Sequence, residues 1–407
     1  MAPAPGLLAG RCRVLELGAA VAAPFCTALL ADAGAEVIKI ETERRPDNLR
    51  GNWPMHEGIA GRDRSLYYHI MNRNKRGLTL DLTHAQGREI FLDLVRISDV
   101  VVENFAAGTM ERMGVPYDVL RRVNPGIVMV SSSGFGATGP ARDHIAYGPL
   151  LEGVAGFASL NGYAGGPPTQ SAFVYTDYLS AMYGVNLVLA ALLDRMQTGR
   201  GAYFDLAQVE VALNAVPEAV LATAVNGVTP GKLENRDDFV PVHGVYPCRD
   251  EDKWIALAAR TEEEWQGLCR ALGRPAWTRE RDFAGPVQRA AHRGELDRGI
   301  AKWTRRRSPQ QAAAALQREG VAAMPVYNIE EVMGDSHIQA RGAFQENPHP
   351  VIGPRPAYAS PINIEGVARA IRQGAPLWGQ DNAYVCQELL GLASEVADGL
   401  AETGAVR

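Results

Sequence analysis

The segment Arg13–Glu41 constrains the fold more than any other. Val14-Leu15-Glu16-Leu17 reads as a short strand, Gly18-Ala19-Ala20 as a turn, and Pro24 stands at a plausible helix start. Phe25, Leu29, Leu30 and Ala33 then fall at helical spacing, and Gly34 suits a C-cap. Glu36-Val37-Ile38-Lys39-Ile40 reads as the next strand. A strand, a helix and a strand so closely spaced require a crossover and hence a parallel sheet. The turn lacks G-x-G-x-x-G, so a nicotinamide cofactor loses its main support.

The alternation continues. Gly77–Leu82 reads as a strand, Ala85–Arg96 as a helix with Ile90, Phe91 and Leu94 inward, and Asp99–Glu103 as a strand. Ile127–Ser131 is a further strand, running into the glycine-rich loop Ser133–Pro140. A long helix is expected over Tyr178–Met196 and a strand over Ala202–Leu206. The fold class is therefore α/β: a doubly wound parallel-sheet large domain over residues 1–225, carrying the candidate site. Residues 226–325 read as a smaller α+β domain. Its expected hairpin pairs Val245–Cys248 with Trp254–Ala258, and its helices cover Glu262–Leu272 and Pro309–Gly320. Residues 326–407 read as a Pro- and Gly-rich return to the large domain, ending in a helix near Asn382–Leu392.

Composition narrows the function. The 407 residues carry a net charge of −5, so no global basic field exists to hold nucleic acid. Cys12, Cys26, Cys248, Cys269 and Cys386 form no C-x-x-C pair, which indicates reduced thiols and a cytoplasmic protein. Residues 1–13 show no secretory h-region, and the apolar run Met182–Leu193 is too short for a bilayer, which needs about 20 residues. No membrane association is expected. The histidines lie at 56, 69, 84, 144, 243, 292, 337 and 349, none at ligand spacing, so no metal is expected. No G-x-S-x-G occurs. Cys26 reads as a buried small residue, and the Glu262–Glu264 and Arg305–Arg307 runs as solvated helix surface.

One carboxylate stands apart. Asp177 follows the turn Gly165-Gly166-Pro167-Pro168 and immediately precedes the long apolar helix. It could be a helix cap, or a carboxylate nucleophile presented beside a glycine-rich turn. Spacing does not choose between them.

Resemblance does. The landmarks are Gly34-Ala35-Glu36-Val37-Ile38-Lys39-Ile40-Glu41, Asn74-Lys75-Arg76, Asn104-Phe105, Met110-Glu111-Arg112-Met113-Gly114, Gly134-Phe135-Gly136, Gly166-Pro167-Pro168 with Asp177, Thr198-Gly199-Arg200-Gly201 and His243-Gly244-Val245-Tyr246. In this order, the chain resembles the class III CoA-transferases (the CaiB/BaiF family) over nearly its whole length. The resemblance implies that Asp177 is the catalytic aspartate, passing CoA from an acyl-CoA donor to a carboxylic acid through aspartyl anhydride and aspartyl-CoA intermediates. Burial beside Tyr175 and Tyr178 would desolvate it. Matching CoA contacts are Val21, Ala22, Thr42, Leu80, Asp81, Leu82, Thr83, Asn104, Phe105, Ala106, Arg112, Ile145, Ala146, Tyr147 and Gly148. CoA thioesters enter as substrates, and no tightly bound cofactor is implied.

Thr42 stands where formyl-CoA-using members often carry arginine, a loss that Lys39 and Lys75 would partly offset. Val21 and Gly148 replace a glutamine and a glutamate of the oxalate-using members. Racemases of the same superfamily carry His-Asp where this chain has Tyr147-Gly148, which favours transfer over racemisation. The alternatives are an acyl-CoA isomerase and a non-catalytic CoA-binding protein. The resemblance also implies an interlaced homodimer, each chain threading a ring formed by the other.

Overall fold

The computed structural model describes residues 6–237, 239–367 and 371–406. The chain forms two compact units. The first holds the residues up to Phe157 together with Gln170–Thr229 and the chain from Ala340 onward; the second holds Ala158–Thr169 and Pro230–Gln339.

The first unit is built on six parallel strands: β1 (Arg13–Glu16), β2 (Glu36–Glu41), β3 (Lys75–Thr79), β4 (Val100–Glu103), β5 (Val128–Ser131) and β6 (Tyr203–Asp205). Their order is β3-β2-β1-β4-β5-β6, so the winding reverses between β1 and β4. Such a switch point opens a crevice at the carboxyl ends of the strands, where ligands bind in sheets of this kind. Side chains alternate along each strand and supply two cores. Val14, Val37, Val100 and Val128 face one side, against Phe25, Leu30, Ala181 and Val188 of the helices Ala22–Asp32 and Tyr175–Thr198. Leu15, Ile38, Leu78 and Val101 face the other, against Phe91 and Leu94 of the Ala85–Arg96 helix and Leu120 of the Tyr117–Val123 helix. Burial on both faces explains the near-continuous apolar runs in the central strands.

β3 begins two residues earlier than the pattern suggests. The extra residues are the charged Lys75 and Arg76, and Lys75 is fully buried and bonded to Glu16. The long helix is Tyr175–Thr198, not Tyr178–Met196, and by length and composition it could cross a membrane. Ala181, Val188 and Ala191 nevertheless sit in the core beside the sheet, and Cys26 packs onto Gly184. The return segment holds more structure than its Pro and Gly content implies. β10 (Phe344–Asn347) and β11 (Arg355–Tyr358) form a hairpin. The expected helix at 382–392 is a π-helical turn, Tyr384–Leu389, with a separate helix over Ser394–Thr403. Asp381 and Asn382 accept hydrogen bonds from the Gly77 and Thr79 amides, closing the exposed edge of β3.

The second unit is an antiparallel sheet of β7 (Val242–Pro247), β8 (Trp254–Ala259) and β9 (Ala322–Val326), with β8 central. The hairpin lies where the pattern placed it. β9 was missed because Pro325 argues against a strand; β9 is an edge strand, where proline is tolerated. Helices Glu262–Ala271, Arg293–Thr304 and Pro309–Arg318 cover the sheet around Trp265, Leu268, Ile300 and Leu316. Glu262–Glu264 occupy the first turn of their helix, where acidic side chains complement the helix dipole.

Candidate active site

The site begins at the turn after β1. Gly18 has no room for a side chain: a Cβ there would lie 2.3 Å from the Ala23 Cβ and 2.8 Å from the Asn104 Oδ1. Ala20 is held at φ 62°, a conformation that costs a non-glycine residue energy and persists only when its surroundings enforce it. They do. The Asn104 side chain brackets Ala19, accepting from its N–H and donating to its carbonyl, each at 2.9 Å. Asp47 Oδ1 accepts from the Ala20 N–H at 3.0 Å, and Lys39 Nζ donates to the Gly18 carbonyl at 3.0 Å.

Beneath this turn lies a buried ionic network. Lys39 pairs with Glu16 and Asp47, each at 2.9 Å, and Lys75 pairs with Glu16 at 2.7 Å and donates to the Pro24 carbonyl at 2.8 Å. The Lys39, Glu16 and Lys75 side chains have no exposure. Burial alone would raise the Glu16 carboxyl; the Lys39 and Lys75 ammoniums pull it down to about 2. Burial draws Lys75 down to about 8 despite Glu16. These lysines are structural and do not reach an open cavity, which corrects the expectation that they replace the arginine missing at Thr42.

The turn delivers the Ala22–Asp32 helix with Val21 at its N-cap position and no side chain capping it. Its first N–H groups are therefore free to meet an outside acceptor. Asp177 is that acceptor: its carboxylate takes a hydrogen bond from the Ala22 backbone. Asp177 lies in the first turn of the Tyr175–Thr198 helix and is only 9% exposed. Val174 occupies the N-cap position of that helix, and its own side chain makes no capping hydrogen bond. Burial raises the Asp177 carboxyl to about 6; the Ala22 hydrogen bond opposes the rise and the nearby Glu152 adds to it. Gly148 closes the other side. A Cβ there would stand 2.1 Å from the Asp177 Oδ2, so only glycine lets the Gly148–Val154 helix start against this carboxylate. Of the two tyrosines expected around it, Tyr175 is about half exposed, its ring tilted against that of Phe173 at 5.9 Å. Tyr178 instead meets Phe25 edge-on at 4.9 Å and Tyr67 through paired hydroxyls 3.5 Å apart.

At the carboxyl ends of β1, β2 and β3 opens a cavity of about 670 Å³. Thr42, Leu80, Asp81, Leu82, Thr83, Phe105 and Arg112 line it, together with Gly18 and Ala19 of the turn. Asp81 is turned back onto Thr83, accepting from its N–H at 2.8 Å and its hydroxyl at 2.7 Å. Arg112 donates to Thr109 at 2.7 Å. Asn104 holds the turn, and Ala106 lies in an adjoining hollow with Phe105. Ile145, Ala146 and Tyr147 lead into the Gly148–Val154 helix and do not line the cavity; Ile145 and Tyr147 are exposed. Arg44 and Arg45 do line it, and sequence reasoning passed over them by looking only at position 42. The Arg44-Arg45 pair shortly after the end of β2 was the available signal. Arg44 stands 3.5 Å from Asp81 and is mostly exposed, so its guanidinium is placed to meet an anion entering the cavity. The Cys26 thiol, pushed up to about 12 by burial, is no nucleophile. Gly165–Pro168 belongs to the second unit, whereas Asp177 belongs to the first.

Arg44, Arg45 and Arg112 give the cavity at the switch point a basic lining suited to an anionic ligand, and Asp177 is a separate desolvated carboxylate, bonded to the helix that starts after the same turn. A probable CoA-transferase of Mycobacterium tuberculosis is 35% identical over 95% of this chain, although the chain spans only 49% of that relative's length. A succinyl-CoA–D-citramalate CoA-transferase of Chloroflexus aurantiacus is 33% identical over 94% of both chains. The crystal structure of a CaiB/BaiF family protein from Brucella suis superposes with a TM-score of 0.85 at 27% identity, covering 95% of this chain and all of that one. Residues 8–382 match the family described as CoA-transferase family III, and the chain belongs to that family.

Proposed function

We propose that the protein transfers CoA from an acyl-CoA donor to a carboxylic acid acceptor, with Asp177 as the covalent relay. The observation that carries this is the placement of Asp177: a buried carboxylate on the Ala22 N–H, facing the backbone of Gly148. Its Oδ attacks the thioester carbonyl, the C–S bond breaks, and CoA leaves as thiolate with a mixed anhydride on Asp177. The thiolate then attacks the aspartyl carbonyl and releases the donor acid as carboxylate, leaving an aspartyl-CoA thioester. The acceptor carboxylate attacks that thioester, CoA departs again, and a second anhydride forms. Attack of the thiolate on the acceptor carbonyl completes the new thioester and frees Asp177. No proton need move. A carboxylate is a weak nucleophile, so alignment must supply much of the rate; well-oriented groups gain up to about 7–11 kcal/mol. Backbone N–H groups at the Ala22–Asp32 helix start are suited to the negative charge that develops.

Arg44, Arg45 and Arg112 would hold the phosphates of CoA, with Phe105 against its apolar portion. Gly148 and Tyr147 offer no acid–base pair beside Asp177, which weighs against racemisation. Succinyl-CoA, the donor in the name of the Chloroflexus relative, is the first donor to test. The same reading includes a homodimer and a reducing, cytoplasmic setting. All five cysteines are free and buried, as that setting allows.

The direct test is mass spectrometry after incubation with acetyl-, malonyl-, formyl- and succinyl-CoA. A CoA adduct on the peptide carrying Asp177 is expected with at least the true donor. Thioester exchange that proceeds with no adduct on that peptide, even after rapid acid quench, would sink the covalent reading.

A further inference from the structure

Glu152 has no exposed surface, yet it lies on a short helix at the edge of the site. A carboxylate withdrawn from water costs several kcal/mol unless it is well bonded. Among the described residues, the hydrogen bonds it receives come from the segment leading into Asp177. The Ser171 hydroxyl lies 2.8 Å from both of its oxygens and 2.6 Å from the Phe173 carbonyl and shares its one proton among them, while the Ser171 N–H and the Tyr175 N–H each donate to Glu152 at 3.2 Å. Tyr175 is the first residue of the Tyr175–Thr198 helix, and its N–H is one that the helix itself cannot satisfy. Val174 at the N-cap position offers no side-chain oxygen, so Glu152 caps that helix from a neighbouring one. The Thr176 hydroxyl reinforces the join by donating to the Gly148 carbonyl at 3.1 Å.

We propose that Glu152 is a positioning residue for Asp177, anchoring residues 171–175 into the first helical turn and tuning the nucleophile through its negative charge. The inference rests on the reading of Asp177 as nucleophile. From each packed element, the groups that interact with that carboxylate are the Ala22 backbone of the Ala22–Asp32 helix, Glu152 of the Gly148–Val154 helix, and Tyr67, whose hydroxyl lies 3.5 Å from that of Tyr178. Burial raises Tyr67 far above neutrality, so this hydroxyl stays uncharged. Glu152 is then the charge that opposes ionisation of Asp177, while the Ala22 N–H favours it. A more basic carboxylate is a better nucleophile, provided it is deprotonated at the working pH.

Replacement separates the two roles. Glu152→Gln keeps an acceptor oxygen and removes the charge; Glu152→Asp keeps the charge and withdraws it by about one methylene. The measurement is the rate of CoA labelling of Asp177 between about pH 4.5 and about pH 8. The donor is whichever of acetyl-, malonyl-, formyl- and succinyl-CoA labels wild type fastest. Glu152→Gln should move the acid limb down by about half a unit to one unit. Glu152→Asp should leave the limb in place and slow labelling about tenfold or more, since small misplacements are costly. An unmoved limb in Glu152→Gln, or equal displacement in both variants, overturns the proposal. If Glu152→Gln gives no soluble protein, Ser171→Ala serves: labelling should slow severalfold with the limb unchanged, and an unchanged rate overturns the anchoring. Asp177→Asn runs in parallel. Full CoA transfer by that variant would refute the nucleophile reading itself, whereas an inactive Asp177→Asn with an unmoved Glu152→Gln limb refutes only the role of Glu152.

Discussion

At the scale of single residues, the two readings of Asp177 differ in what each substitution does. A cap would tolerate asparagine, since Asn and Asp cap comparably. A relay would not, because an amide cannot form the anhydride. Asp177→Asn and Asp177→Glu should both reduce transfer to near background while leaving CoA binding in place, as a steady-state assay beside calorimetric titration with CoA would show. Stability should move the other way. The folded carboxyl titrates near 6 against an ordinary 3.8, so the folded state loses stability as pH rises through that window. At about 1.36 kcal/mol per unit, the penalty at pH above 6 is on the order of 1–3 kcal/mol. Asp177→Asn should recover it at about pH 8 and gain little at about pH 4, as paired urea titrations would show; a destabilised variant at pH 8 would contradict the burial argument. Asp177 was legible only through resemblance, because one aspartate before an apolar helix is usually a cap. Glu152 was not legible at all. A lone glutamate in a short amphipathic run reads as solvated surface, and only the folded approach of Ser171 and Tyr175 reveals that it is buried.

At the scale of elements, alternation of apolar runs made the parallel sheet legible, and the Ala85–Arg96 helix has the bounds its spacing implies. The failures have common causes. Polar residues inside a strand hide it, as Lys75 hid the start of β3 until Glu16 supplied its partner. Proline hides an edge strand, as Pro325 hid β9. The glycine at 148 looked like a missing side chain, whereas it is the element contact that admits Asp177. Gly148→Ala places a Cβ 2.1 Å from the Asp177 Oδ2, so either the helix start or the carboxylate must shift. Transfer should fall about 10²-fold or more, the cost of about 1 Å of misplacement. Circular dichroism should show the fold retained, and kcat should fall further than KM rises. A Gly148→Ala enzyme with wild-type kcat would show that Asp177 need not sit where it does.

At the scale of the whole molecule, chain order concealed the second unit's composition. Ala158–Thr169 joins Pro230–Gln339, and no local pattern announces so distant a pairing. The surface of the first unit also carries an unfinished core. The Pro217–Asn226 helix is largely apolar, yet none of its residues is buried; Val220, Leu221 and Val225 are 45%, 60% and 75% exposed. Met182, Leu189, Leu193 and Met196 of the Tyr175–Thr198 helix are also exposed. Large exposed apolar side chains in such number suit a surface that a partner covers. The homodimer implied by resemblance would cover it, and an interlaced one should bury far more than the roughly 1,600 Å² of a standard interface. Because threaded chains cannot part while folded, dissociation should require unfolding. Analytical ultracentrifugation with fluorescence detection should therefore find only dimer at nanomolar concentration, and mixing two tagged forms should yield no heterodimer unless they are first denatured together. Leu221→Glu with Val225→Glu should lower the yield of soluble protein, since the charges would enter a buried seam. A folded, active monomer on dilution would refute the interlaced arrangement; ready subunit exchange between native dimers would leave a dimer but rule out threading.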